Sequence, residues 1–276
     1  MGDTTAASAP TASSVHDYQT ILFESAGSIA RLTLNKPERM NALSSDMSSE
    51  ILDALTRVEA DSEVRVLVIS GAGRGFCAGA NLGSGEIAGG VPDLGRVLEE
   101  QYNPIVEKLR ALSIPVVCAV NGVAAGAGAN FALACDIVIA TKSAKFIQAF
   151  AKIGLLPDMG GTHFLPQLVG PARAMGLALL AEPLSAEQAA EWGLIWRCVD
   201  DEDFAQATNE LAQRLANGPP LALAHAKRAI HAAAENSLTL QLALERDLQR
   251  ELGHTQDFME GVTAFFDKRS AQFKGR

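Results

Sequence analysis

The sequence predicts an α/β fold in which one core is followed by a helical region at the carboxyl end. Most strand patterns precede residue 150, whereas the chain after Gly161 shows helical periodicity almost throughout. Two apolar strands each run into a turn of glycine and alanine, as expected where helices pack on a sheet. No low-complexity linker divides the chain. We therefore expect a disordered leader at 1–16, a core at 17–205 and a helical C-terminal region at 206–276.

The composition is that of a globular protein and excludes several partners. The chain has 276 residues, of which 48% are apolar and 20% are charged, enough for a sizeable core. A net charge of −9 argues against a nucleic-acid partner, because phosphate backbones are bound by basic surfaces. No apolar run approaches the roughly 18 residues of a membrane span. Residues 1–16 lack the basic start and apolar run of a secretory signal.

The cysteines predict neither disulfides nor a metal site. Cys77, Cys118, Cys135 and Cys198 lie far apart in the sequence and show no C-x-x-C spacing. We expect buried thiols in a reducing, cytoplasmic environment.

The amino-terminal elements follow from local patterns. Two strands, at 18–25 and 28–35, predict a hairpin, and a charged loop at 36–43 follows. Ser44 or Ser45 can cap the next helix. The apolar face of that helix is formed by Met47, Ile51, Leu55 and Val58.

The remaining elements alternate before the chain becomes helical. Strands are expected at 64–70, 116–120, 135–140 and 145–148, with a helix at about 95–112. The later helices are expected at about 162–168, 171–180, 185–192, 202–216, 219–234, 237–252 and 256–268.

Two glycine-rich turns are the first candidates for chemistry. One follows the strand at 64–70 and the other, at 123–130, follows the strand at 116–120. Each turn could supply one unpaired backbone amide, and two amides that converge on one oxygen form an oxyanion hole. For either turn alone, close packing of a helix on the sheet is the simpler explanation. The first turn nearly matches a dinucleotide fingerprint, but Phe76 takes the place of the last glycine, so a nicotinamide or flavin site is not expected.

Asp158 is the second candidate. It lies in the segment 155–161 (LLPDMGG), among apolar residues and glycines. An apolar setting formed by Leu155 and Leu156 would raise the pKa of the carboxyl group into the range useful for proton transfer. The alternative is that Asp158 caps the helix that follows, and the two roles are compatible.

Three segments resemble the enoyl-CoA hydratase/isomerase (crotonase) superfamily: 34–43 (LNKPERMNAL), 76–82 (FCAGANL) and 121–128 (NGVAAGAG). The likeness continues to residues 265–269 and so covers nearly everything after residue 17. It implies a crotonase-like ββα-superhelix core, a C-terminal trimerisation region, and a homotrimer or dimer of trimers. It also implies an acyl-CoA substrate whose thioester oxygen is bound by the amides of Ala80 and Ala127, with no further cofactor and no metal. The other contacts to substrate and CoA are then expected from Lys36, Arg39, Met40, Ala42, Ala78, Gly79, Asn81, Leu82, Gly126, Asn130, Phe150 and Lys268.

This sequence departs from the hydratases of that family at two positions. Hydratases use two glutamates to activate water, and the resemblance places those positions at Asn130 and Phe150. Amide and phenyl groups cannot act as general base and acid. A carboxylate at the position of Asp158 is instead similar to that of family isomerases.

Further segments resemble the isomerases of this family in phenylacetate degradation: 92–95 (PDLG), 102–104 (YNP), 154–162 (GLLPDMGGT) and 174–180 (AMGLALL). We therefore expect an acyl-CoA isomerase that converts a ring-1,2-epoxide of phenylacetyl-CoA to an oxepin, or a 3-enoyl-CoA to a 2-enoyl-CoA. In this hypothesis Asp158 moves the proton. The alternatives are a 2-enoyl-CoA hydratase or other lyase of the family, and a member that binds acyl-CoA without turnover.

Overall fold

The computed structural model describes residues 14–15, 17–81 and 93–276. Within these residues the chain forms two sheets and ten α-helices. The strands are β1 (Ser14–Val15), β2 (Ile21–Ala26), β3 (Ile29–Leu34), β4 (Val66–Gly71), β5 (Gly75–Cys77), β6 (Val116–Val120), β7 (Val123–Ala125), β8 (Ile137–Thr141), β9 (Lys145–Ile147), β10 (Leu184–Ser185) and β11 (Arg197–Val199). The helices are α1 (Ser45–Ala60), α2 (Leu94–Val97), α3 (Asn103–Ala111), α4 (Ala127–Leu133), α5 (Gly161–Leu180), α6 (Ala186–Glu191), α7 (Phe204–Ala216), α8 (Pro220–Ala232), α9 (Leu238–Leu252) and α10 (Gln256–Asp267).

The two sheets are mostly parallel. Among the described strands, the larger sheet has the order β1-β2-β3-β4-β6-β8-β11 and the smaller one the order β10-β9-β7-β5. Strands β3, β4, β6, β8 and β11 are parallel to one another, and so are β5, β7 and β9. Parallel strands bring the segments that follow them to a common edge, which places the two glycine-rich turns near each other.

Strand β4 is buried on both faces, as its apolar run predicts. Its alternate side chains enter two different cores: Leu67 and Ile69 pack in a cluster with α1, whereas Val66 and Val68 pack in a cluster with α7. Strand β6 is buried along its whole length. This double burial holds the central strands rigidly.

Several local predictions are confirmed. The hairpin is present as β2 and β3, and Ser44 Oγ accepts a hydrogen bond from Met47 N at 3.2 Å, which caps α1. The helices expected at 162–168 and 171–180 form one element, α5, that bends at Gly170 beside Pro171. The helix expected at 95–112 instead consists of α2, one π-helical turn at Leu98–Tyr102, and α3.

The predicted leader is wrong at its carboxyl end, because Ser14 and Val15 pair with Ser25 and Glu24 in β1. Residues 1–13 and 16 lie outside the described residues. The predicted boundary at 205 falls inside α7, and the division into domains stays a prediction. None of the described helices is long and apolar enough to cross a membrane.

The C-terminal helices present apolar side chains to the outside. Phe265 and Phe266, on α10, are 78% and 75% exposed in the single chain. Other exposed apolar side chains on α8, α9 and α10 are Ile230, Leu238, Leu240, Leu242, Phe258 and Met259.

Candidate active site

The two glycine-rich turns meet at the end of the smaller sheet. Strands β5 and β7 are parallel neighbours, with Gly75 opposite Val123 and Cys77 opposite Ala124. The segments that leave these strands are therefore adjacent. Gly79 has a φ of +95°, and a Cβ there would lie 2.8 Å from Ala125 O and 3.5 Å from Ala127 N. Only glycine allows this approach without strain.

The backbone N–H of Ala80 points away from Leu43, whose main chain holds residues 79–81 by hydrogen bonds. Leu43 N donates to Gly79 O at 2.7 Å, and Asn81 N donates to Leu43 O at 2.9 Å. These two bonds form a parallel bridge between Leu43 and Ala80. In such a bridge the backbone N–H and C=O groups of the residue between Gly79 and Asn81, which is Ala80, point away from Leu43. The Ala80 N–H is therefore not used by the bridge.

The amide of Ala127 is the first in α4. Gly126 precedes it with a φ of 52° and a ψ of −128°, and no side chain caps this helix. The amides of the first turn of a helix have no partner within the helix. Gly126 O is already used by Ala129 N and Asn130 N, at 3.0 and 3.2 Å. Gly79 packs against Ala127 N, so the two predicted oxyanion amides belong to turns in direct contact.

Asp158 lies in the turn before α5. Its Oδ1 is buried and has no hydrogen-bond partner among the described residues. Burial raises the pKa of this carboxyl group from 3.8 to about 6, against the opposing effect of a hydrogen bond from its own backbone N–H. A carboxyl group with this pKa can both accept and release a proton near neutral pH.

The surroundings of Asp158 differ from the sequence-based expectation in two respects. Leu155 and Leu156 are themselves 41% and 71% exposed, whereas Pro157 and Met159 on either side of Asp158 are buried. The helix α5 has Gly160 as its N-cap, without any side-chain cap. The alternative role of Asp158 as a capping side chain is therefore wrong, and its carboxylate is left free for chemistry.

The two positions where hydratases carry glutamates are both buried. Asn130 is fully buried, its Nδ2 donates to Asp158 O at 2.8 Å, and its Oδ1 accepts from Gln148 Nε2 at 2.8 Å. Phe150 is buried beside Gly126, whose Cβ, if present, would lie 3.7 Å from Phe150 Cζ. The sequence reasoning missed Gln148, because a single glutamine after a short strand carries no signal of its own.

The loop around Met40 supports the first turn. Asn41 is fully buried, and its Nδ2 donates to Ala72 O, Gly75 O and Phe76 O at 2.9 to 3.1 Å. The main chain continues this contact, because Ala78 N donates to Met40 O at 2.9 Å. Ala42 is half-buried beside them.

The predicted cationic contacts are spread over the chain. Lys36 is half-buried and Arg39 is exposed, both at the short helix Pro37–Arg39 near this loop. Lys268 is exposed at the end of α10, where its backbone N donates to Phe265 O. Leu82 lies outside the described residues. The substrate contacts assigned to these residues stay predictions.

Two other kinds of chemistry find no support at this site. Cys77 is fully buried, and desolvation raises the pKa of its thiol to about 12, so it stays protonated and unreactive. Among the described residues, no cluster of His, Cys, Asp and Glu side chains could hold a metal ion.

An apolar cavity of about 620 Å³ opens between α8, α9 and α10, outside the turns that carry Ala80, Ala127 and Asp158.

The chain is similar to several known proteins. Residues 24–276 match the family described as enoyl-CoA hydratase/isomerase. A 1,2-epoxyphenylacetyl-CoA isomerase of Escherichia coli (strain K12) is 53% identical over 250 residues, which cover 90% of this chain and 95% of that protein. A probable enoyl-CoA hydratase of Rhodobacter capsulatus is 51% identical over 259 residues, covering 94% and 99%. The crystal structure of an enoyl-CoA hydratase from Bacillus anthracis has a TM-score of 0.89 at 32% identity, covering 94% of this chain and 100% of that chain.

These similarities extend over nearly the whole chain and confirm the crotonase-like α/β fold with a helical C-terminal region. They agree with the motifs at 34–43, 76–82 and 121–128. The chain belongs to the enoyl-CoA hydratase/isomerase family.

Proposed function

We propose that this protein is an acyl-CoA isomerase in which Asp158 moves a proton and the amides of Ala80 and Ala127 bind the thioester oxygen. The observation that carries the proposal is the pairing of one buried carboxyl group of raised pKa, about 6, with two contacting turns of free amides. At the positions where hydratases carry glutamates this chain has Asn130 and Phe150, so neither position supplies a second carboxylate beside Asp158.

The proposed reaction balances with these groups alone. Asp158, ionised, takes the proton alpha to the thioester, and the electrons of that C–H bond move onto the carbonyl oxygen to form an enolate. The amides of Ala80 and Ala127 stabilise the enolate, and losing one such donor costs roughly 3–4 kcal/mol in the transition state. The protonated Asp158 then returns the proton at a different carbon, which for a 3-enoyl-CoA gives the 2-enoyl isomer. For the ring epoxide, the bond between the two epoxide carbons breaks to form the seven-membered oxepin, and the proton is returned to a ring carbon.

The names of the relatives support two candidate substrates. The name of the E. coli relative, at 53% identity, supports a ring-1,2-epoxide of phenylacetyl-CoA, converted to an oxepin, as the first candidate in phenylacetate catabolism. A linear 3-enoyl-CoA is the second, because the same proton transfer serves it. Hydration of a 2-enoyl-CoA is favoured by the name of the R. capsulatus relative, but Asn130 and Phe150 provide no carboxylate to activate water.

A panel of three substrates tests the proposal. We expect turnover of the ring epoxide or of a 3-enoyl-CoA, followed by absorbance, and little hydration of crotonyl-CoA. Asp158→Asn is expected to lower kcat by roughly 10²–10⁴-fold, while acyl-CoA binding, measured by calorimetry, persists. Rapid hydration of crotonyl-CoA would contradict the argument from Asn130 and Phe150. Binding without any turnover would identify a non-catalytic acyl-CoA-binding protein.

We further propose a cytoplasmic homotrimer or dimer of trimers. The exposed apolar side chains of α8, α9 and α10 support assembly, because contiguous apolar surface marks an interface. Lys268, exposed at the end of α10, is a candidate contact for the CoA phosphates. The free cysteines of the described chain fit a reducing cytoplasm. Sedimentation equilibrium measures the subunit number, and a monomer at micromolar concentration would contradict the assembly.

A further inference from the structure

The loop of Asp158 and the turn of Ala127 are joined by two buried side-chain amides. Asn130 lies in the first turn of α4, three residues after Ala127, and its Nδ2 donates to Asp158 O at 2.8 Å. Gln148 Nε2 donates to Asn130 Oδ1 at 2.8 Å. Asn130 is 0% exposed and Gln148 is 3% exposed, so these bonds are sheltered from water.

The direction of each bond is forced by chemistry. A backbone carbonyl can only accept, so the side chain of Asn130 must turn its NH₂ group toward Asp158 and its oxygen toward Gln148. Gln148 then has to donate to that oxygen. If Gln148 lost its NH₂ group, the carboxamide of Asn130 could rotate and set its oxygen against Asp158 O, which would repel the loop.

The same segment also supports the oxyanion turn. Ile147, the last residue of β9, accepts a hydrogen bond at its carbonyl oxygen from Gly126 N at 2.8 Å. Gly126 is the residue before Ala127. The main chain at 147 and the side chain at 148 therefore hold the turn of Ala127 and, through Asn130, the loop of Asp158.

The packing around Asn130 leaves it little freedom. Gly161, which follows the Asp158 turn, lies so close that an added Cβ would clash with the carboxamide of Asn130, at 2.6 Å from its Cγ. Gly161 N also donates to Asp158 O at 2.8 Å. The carbonyl of Asp158 is thus held by two donors in a space that has no room for adjustment.

We propose that Asn130 and Gln148 are positioning residues that set the place of the Asp158 carboxylate relative to the oxyanion amide of Ala127. This inference rests on the proposed function, in which Asp158 carries the proton. It also changes the role predicted for Asn130, from a substrate contact to a support of the loop. Two reacting groups on separate segments need such a connection, because a misplacement of about 1 Å can lower a rate roughly 10²-fold.

Two substitutions test the proposal from opposite sides of Asn130. Gln148→Met removes the NH₂ group that donates to Asn130 and keeps a similar volume without adding charge. Gly161→Ala adds a Cβ that displaces the carboxamide of Asn130 and leaves both side-chain amides chemically unchanged. For both we expect kcat to fall by roughly 10- to 100-fold with KM nearly unchanged, because ground-state binding does not need the proton carrier in place. In both, the pH at which kcat is half-maximal should also move, since the surroundings of Asp158 change.

A matched control separates positioning from general loss of stability. Gln241 Nε2 donates to Ala229 O at 3.0 Å, and its Oε1 accepts from Asn236 at 3.0 Å. Like Asn130, Gln241 therefore donates to a backbone carbonyl and accepts from another side-chain amide, but it lies in the C-terminal helices. Gln241→Glu should lower the melting temperature and leave kcat and its pH profile unchanged, whereas Asn130→Asp, the same chemical change, should lower kcat.

The outcomes are distinct. Unchanged kcat in folded Gln148→Met and Gly161→Ala, with Asp158→Asn inactive, would overturn the positioning role alone. A loss confined to KM would also overturn it, because it would identify Asn130 as a substrate contact. Full turnover in Asp158→Asn would instead refute the proposed function.

Discussion

Asp158→Asn should make this protein more stable while it removes turnover. The wild-type side chain is half-buried, and its buried Oδ1 has no partner among the described residues. Ionisation therefore destabilises the folded state at neutral pH. The amide removes that charge at nearly constant shape.

The magnitude follows from the pKa. Burial raises the pKa of Asp158 from 3.8 to about 6, and each pKa unit corresponds to roughly 1.4 kcal/mol. The folded state holds the proton more tightly than the unfolded chain, so this group contributes stability below pH 3.8 that is lost as the pH rises through about 6. Asn behaves as the protonated form at every pH. We therefore expect the variant to be more stable by up to about 3 kcal/mol at pH 8, by about half of that at pH 5, and by only about 0.5 kcal/mol at pH 4.

Urea unfolding of both proteins at one concentration, at pH 8, 5 and 4, measures these differences. The control is Asp136→Asn, the same chemical change at a carboxylate that has partners. Equal stability at pH 8, or a less stable Asp158→Asn, would refute the reasoning, because it would mean that burial does not disfavour the charged carboxylate.

The remaining predictions concern other parts of the chain. Asp136 Oδ2 lies 2.8 Å from Lys227 Nζ in a buried pair. Desolvation raises the pKa of Asp136, but the bonds from His231, Lys227 and Val116 outweigh it and lower that pKa. Asp136→Asn should therefore destabilise the fold by roughly 3–5 kcal/mol in urea unfolding at pH 7, and the stability that the wild-type carboxylate contributes should disappear as the pH falls below 3.8. An unchanged midpoint would contradict this. Gly79→Ala introduces a Cβ 2.8 Å from Ala125 O and should lower kcat roughly 10²-fold or more in the isomerase assay by separating the oxyanion turns, whereas activity within about twofold of wild type would show that the turns are not coupled. The kcat of the wild type should rise as the pH increases through about 6, where Asp158 ionises, and a profile that is flat from pH 5 to 8 would exclude Asp158 as the base.

Elements with a strong local signal could be predicted from the sequence. The hairpin, the capped helix α1 and the strands β4 and β6 follow from alternation, a serine cap and apolar runs, which depend on neighbouring residues only. The three-residue strands β5 and β7 were missed, because so short a segment has no periodicity. The π-helical turn at Leu98–Tyr102 and the pairing of Ser14 and Val15 likewise depend on contacts elsewhere in the chain.

For the site, the sequence by itself determined which groups are available: two turns with almost no side chains, one carboxylate at Asp158, and no glutamate at positions 130 and 150. The tertiary structure decided where those groups lie. The parallel pairing of β5 with β7 brings Ala80 and Ala127 into contacting turns. Burial in the folded chain raises the pKa of Asp158, although the neighbouring Leu155 and Leu156 are themselves largely exposed. The bonds from Gln148 to Asn130 and from Asn130 to Asp158 join residues 18 and 28 positions apart, and contacts over such separations leave no local pattern in a sequence.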